Sequence, residues 1–229
     1  MLIGQAPGPT EAVVKRPFNA GSGKRLFKWL AEAGWDEADF RAHVYMTAVT
    51  KCYPGRSDNG KGDRVATPFE QALCRPWLEQ EFRLIDPRLL ILVGGLAIRL
   101  AYPAAARLDQ IIGTAAWFPP GATAGGLSFE LARAEVVTTD DDRPPTAAEG
   151  DAAAQTVEGF LTVPESDSGS GQRSAGGGLP IGGRPPGGRW LVPLPHPSGA
   201  SLWPNRPENR ALISRAMALL REIRAAEQL

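Results

Sequence analysis

Residues 89–93 read Leu-Leu-Ile-Leu-Val, with no polar side chain to turn toward water. Successive side chains of a strand point to opposite faces, so a strand that is apolar at every position must be covered on both. That need is met by a parallel sheet between layers of helix, and the flanking sequence supplies the layers. Thr67, Pro68 and Glu70 make a capping box opening a helix to about Leu84, with Pro76 removing one donor inside it. Gly94 and Gly95 open a further short helix. Leu2–Gly4 reads as the end of a buried strand, "VYMTAV" (44–49) as a second strand and "WLVPL" (190–194) as the last. Ser22 is the expected cap of a helix from about Gly23 to Ala33, stopped by Gly34, and Pro207 starts the final helix. The expected fold is α/β, a three-layer α/β/α arrangement around a short, mainly parallel sheet.

The alternation stops at residues 114–188, which are rich in Gly, Ala, Pro, Ser, Thr and acid. The chain therefore reads as one domain over 1–229, interrupted at about 114–188 by a low-complexity, disordered insert with weak strands near "LSFELARAEVV". Charge divides the same way: the flanking body carries a net +6 and the insert −6, summing to zero. A mildly basic body is compatible with a phosphate backbone as partner. No run reaches the roughly 18 apolar residues of a membrane span, and "MLIGQAPG" has neither the basic nor the apolar region of a secretory leader. Cys52 and Cys74 form no disulfide framework, so a reduced, cytoplasmic protein is expected.

In a parallel sheet, ligands bind beyond the carboxyl ends of the strands. Three turns belong there: Gly4-Gln5-Ala6-Pro7-Gly8, the loop after "MTAV", and "HPSGAS". His196, one of two histidines in the chain, stands between Pro195 and Pro197, which restrict its backbone. It reads either as an ordinary loop histidine or as a preset functional group. Ser198 and Ser201 follow and can bond a phosphate. Gly4 and Gly8 permit close backbone approach, and Pro7 stiffens their turn. Phe18 is either a core aromatic or a platform for a planar base. Arg16, Lys24, Lys51, Arg56, Lys61 and Arg64 are surface charges or phosphate partners. His43 reads as structural.

The order of "GQAPGPTE", "RPFNAGSGKRLFKWLAEAG", "VYMTAVTKCYPG", "TPFEQALCRPWLEQEFRLIDPRLLILVGGLAI" and "PLPHPSGAS" resembles the uracil-DNA glycosylase superfamily, nearest its iron–sulfur branch, over residues 1–113 and 189 to about 223. The resemblance implies excision of uracil, or a related deaminated base, from DNA by a monomer. His196 would bond the leaving uracil, Phe18 would stack on it, and the Gly4–Gly8 turn, with Gln5 and Ala6, would position water. Ser198 and Ser201 would pinch the DNA backbone. The position of the usual wedge into the base stack holds Ala200, with Leu202 or Trp203 as substitutes. Lys51, Arg56 and Lys24 would meet phosphates.

Three departures stand out. Gln5 occupies the place of a Glu and cannot take a proton from water. Thr47 aligns with the uracil-reading Asn, and one hydroxyl discriminates less than a carboxamide. Cys52 and Cys74 match only the second pair of the four cysteines of a [4Fe-4S] site. No cofactor is therefore expected unless a further cysteine pair precedes Met1: either this lineage has lost the cluster or the start is truncated, and the opening inside a strand slightly favours truncation. Gln5 and Thr47 also leave open a non-catalytic binder of damaged or single-stranded DNA, or a nucleoside or nucleotide N-glycosidase.

Overall fold

The computed structural model describes residues 1–58, 60, 62–123, 126, 127, 129–138, 181–199 and 201–229. Lys61, Ala200 and most of the expected insert lie outside the described residues. The described strands form one six-stranded sheet. They are β1 (Leu2–Gly4), β2 (Met46–Ala48), β3 (Leu89–Val93), β4 (Ala115–Phe118), β5 (Glu135–Val137) and β6 (Arg189–Leu194), in the order β2-β1-β3-β6-β4-β5. Strands β2, β1, β3 and β6 run parallel; β4 is antiparallel to both β6 and β5. The fold is α/β and mostly parallel, as the apolar strand requires.

All five side chains of β3 are buried, as are Leu2 and Ile3 of β1, so both faces of the sheet centre are covered. Helix α1 spans Pro9–Val14, α2 Gly21–Glu32, α3 Glu37–His43, α4 Pro68–Ile85, α5 Gly95–Ile98, α6 Leu108–Ile111 and α7 Pro207–Glu227. α7 packs on β6 and on α2, burying Ile213, Ala216, Leu219, Leu220 and Ile223. α4 carries the expected capping box, Thr67 and Glu70 bonding each other's backbone N–H, and runs on through Pro76. α2 begins at Gly21 with Ala20 at its cap, so Ser22 falls inside the first turn and caps nothing. α3 lies in a stretch where no helix is expected; the Asp36 carboxylate caps it, accepting from Ala38 N and Asp39 N.

Composition places the low-complexity stretch from about residue 114, yet regular structure continues past that point. Residues 115–118, taken with the low-complexity stretch, form the fully buried strand β4, and Phe118, Leu127 and Phe129 join the core. Phe129 sets its ring edge-on against Phe82 of α4 at 5.7 Å. Four apolar residues set among Gly, Pro and acid leave a long window looking polar, yet they suffice for a strand once β6 offers a partner edge.

Candidate active site

The C-terminal ends of β1, β2, β3 and β6 lie at one edge of the sheet, and there a cavity of about 740 Å³ opens. Gly4, Gln5, Phe18, Thr47 and His196 all line it, so the three turns expected to meet do meet. Gly94, just past β3, shows how tightly. Its φ is +89°, and a β carbon there would lie 2.9 Å from Gln5 Cδ and 3.0 Å from His196 Cδ2. Only hydrogen fits between these two side chains.

His196 is oriented by its own loop. The Ser198 backbone N–H donates to Nδ1 at 3.3 Å. With Nδ1 accepting, the proton of the neutral ring is on Nε2, which becomes a donor. Burial pushes the imidazole below its ordinary pKa, and the nearby Asp63 carboxylate pulls weakly the other way. Arg25 steadies the loop through the Ser198 carbonyl at 3.4 Å.

Phe18 sits half-buried with φ +50°, a conformation costing an aromatic residue about 1–2 kcal/mol. The cost is met by a clamp. Arg41 Nη1 donates to Pro17 O at 2.7 Å and Nη2 to Phe18 O at 3.0 Å. Glu11 accepts from Asn19 N at 3.1 Å and Ala20 N at 3.4 Å on the other side. The ring leans over Gly4, where a β carbon would come within 2.9 Å of Phe18 Cζ. Gly4 is thus a glycine because an aromatic ring lies on it.

The same contact corrects the role expected of Thr47. In the parallel pairing Gly4 faces Ala48, and Ile3 faces Thr47. Paired residues project to one face and neighbours alternate. The Ala48 methyl therefore points to the Phe18 side, and Thr47 to the other. There the Thr47 hydroxyl donates to Glu81 Oε2 at 2.8 Å and accepts from Lys51 Nζ at 2.6 Å. Thr47 lines the cavity, but its hydroxyl is spent on α4.

Lys51 is corrected likewise. Its ammonium gives its three protons to Thr47 Oγ1, to Ala48 O at 3.0 Å and to Glu81 Oε2 at 2.6 Å, so it braces the β2 end rather than standing free for a phosphate. Gln5 is fixed through Oε1, which accepts from Leu96 N at 3.0 Å. Its NH₂ remains, a donor able to hold a water through the water's oxygen. Lys24 and Arg56 are exposed and do not line the cavity, nor do Ser198, Ser201 and Leu202, of which Leu202 is 74% exposed. Ala6, Pro7 and Gly8 complete the first turn of the wall. His43 stands exposed at the end of α3 beside Asp39.

A four-cysteine cluster does not fit the residues present. Cys52 is exposed at the cavity wall, and Cys74 Sγ accepts from Lys51 N at 3.3 Å. They are the two cysteines of the sequence, half of the set, and no group of three or more potential ligands lies together among the described residues.

Glu81, Tyr53, Asp63 and Arg41 shape the site without any signal in the sequence, because each acts across a turn or from another element. Glu11, the acid nearest Gln5 in the sequence, instead holds the backbone beside Phe18.

The model of the uracil DNA glycosylase superfamily matches residues 1–221. The chain belongs to the uracil-DNA glycosylase superfamily. It is 32% identical over 98 residues to the type-4 uracil-DNA glycosylase of Thermotoga maritima, covering 43% of this chain and 46% of that protein. It is 30% identical over 102 residues to the type-4 uracil-DNA glycosylase of Archaeoglobus fulgidus, 44% of this chain and 46% of that one. The corresponding figures for the type-4 enzyme of Sulfurisphaera tokodaii are 30% over 94 residues, 41% and 39%. The matches thus span less than half the length of these curated relatives. No helix among the described residues is long and apolar enough to cross a membrane.

Proposed function

We propose that this protein hydrolyses the N-glycosidic bond of uracil, or a related deaminated base, in DNA, after the nucleotide has swung out of the stack into the cavity. The observation that carries this reading is the meeting of an Nε2–H donor on His196 with the Phe18 ring in one cavity at the strand ends.

Breaking the bond makes the base an anion and the sugar an oxocarbenium-like cation. A fixed donor aimed at the developing oxyanion lowers the barrier, and removing one such donor costs about 10²–10³ in rate. His196 can serve because it is neutral and already oriented. Extruding a base costs a few kcal/mol; stacking on Phe18 returns about 1–3 kcal/mol. The Gln5 NH₂ holds water at the first turn without accepting its proton. Ala48, on the Phe18 side of β2, offers the base edge no hydrogen bond, and this favours a base range wider than uracil.

The test is release of free base. Oligonucleotides carrying one uracil, hypoxanthine or xanthine, single- and double-stranded, are incubated with the protein and treated with alkali. Strand breaks at the lesion are expected. Binding without breaks would favour a lesion-binding protein, and action on free deoxyuridine alone a nucleoside hydrolase.

A further inference from the structure

A hydrolase of this kind must also meet the positive charge on the sugar and take a proton from water, and Gln5 can do neither. Two carboxylates line the cavity, Glu11 and Asp63. Glu11 is committed: Oε1 holds the backbone N–H groups of Asn19 and Ala20, and Oε2 accepts from Thr10 Oγ1 at 3.2 Å. Asp63 is placed differently. It sits at the cavity rim on a loop folded back on itself, with residues 56 and 63 bridged antiparallel and Arg64 N bonded to Gly55 O at 3.0 Å. The Tyr53 hydroxyl donates to Oδ1 at 2.7 Å and fixes the carboxylate in place. Asp63 is also the charge that His196 feels from its surroundings.

We propose that Asp63 is the catalytic carboxylate of this site, stabilising the sugar cation and receiving the proton of the attacking water, an inference that rests on the glycosylase reading. The C1′–N bond breaks with its electron pair leaving on the base. The water oxygen bonds C1′, one water proton passes to Asp63 and on to solvent, and the base anion is protonated by solvent. His196 and Asp63 divide the work by charge: a neutral donor for the anion, a carboxylate for the cation. Tyr53 is a positioning residue that acts through Asp63.

The test uses the full chain under single-turnover conditions with a uracil oligonucleotide, measuring DNA affinity separately. Asp63→Asn should lower the rate of base release about 10²-fold, the low end of the contribution usual for a general base. Affinity should hold or tighten, because a negative charge beside DNA is removed. Asp63→Ala should fall equally and recover at least severalfold with added formate, which replaces the missing carboxylate. Tyr53→Phe should show a smaller fall with unchanged affinity. Asp63→Asn at the wild-type rate would overturn the assignment while leaving the glycosylase reading intact. So would a loss that formate does not repair and that comes with lost DNA binding. A wild-type protein that releases no base from any DNA would overturn the parent reading and this one together.

Discussion

The backbone N–H of Ser198 donates to Nδ1 of His196 across 3.3 Å, so the histidine reaches its environment through Nε2–H. Two residues of one loop thereby set the tautomer, and Pro195 and Pro197 hold that loop to one path.

His196 is held neutral by burial, and this has a consequence for stability. Its folded pKa lies below 6.5, so on acidification the unfolded chain binds the proton first. Its contribution is full above pH 6.5 and is lost as pH falls toward the folded value. Denaturant titrations from pH 7.5 down to 5 should show wild type losing more stability than His196→Gln over that range. An identical pH dependence would show that the imidazole is not shielded.

Gly94→Ala should disable the site without replacing a catalytic side chain. Its β carbon would press on Gln5 and His196 at 2.9 and 3.0 Å in a backbone conformation that alanine resists. A stability loss of about 1–3 kcal/mol is expected, with base release falling at least about tenfold. Thermal unfolding and single-turnover assays read the two effects separately.

Gly23→Ala should act on Phe18 from behind. The added carbon would fall 1.8 Å from Phe18 O, so the clamp made by Arg41 and Glu11 must shift. Fluorescence of 2-aminopurine beside the lesion should report weaker extrusion, matching Phe18→Ala. A loss of about 1–3 kcal/mol in binding the flipped base is expected for either.

Thr47 and Ala48 should behave oppositely. Thr47→Val breaks the bonds to Lys51 and Glu81 and should cost about 0.5–1.5 kcal/mol of stability with little change in base preference. Ala48→Asn places a carboxamide on the Phe18 side and should raise the preference for uracil over hypoxanthine by at least about tenfold. Competition assays with mixed oligonucleotides give the ratio directly.

The contrast between those two residues also shows what the sequence could and could not convey. Apolar runs such as Leu89–Val93, the Thr67–Glu70 capping box and the Pro207 start are local and were readable as such. Which neighbour in β2 faces the base is not local: a one-residue difference in register moves a side chain to the other face, and only the pairing with β1 fixes it. The turns that hold His196, Phe18 and Gln5 are marked by glycines and prolines, and the roles expected of these residues came from the family resemblance; the structure adds that they line one cavity. The clamp on Phe18 was not legible, because Arg41 and Glu11 reach it from other elements. Strand β4 was hidden because its four apolar residues are averaged into a polar stretch, and its stability comes from pairing with β6.

The most direct measurement compares wild type with His196→Ala in single-turnover release of uracil from a saturated oligonucleotide. The account predicts clear release by wild type and a fall of about 10²–10³ in the variant, with DNA affinity retained. Equal rates in the two proteins would contradict it.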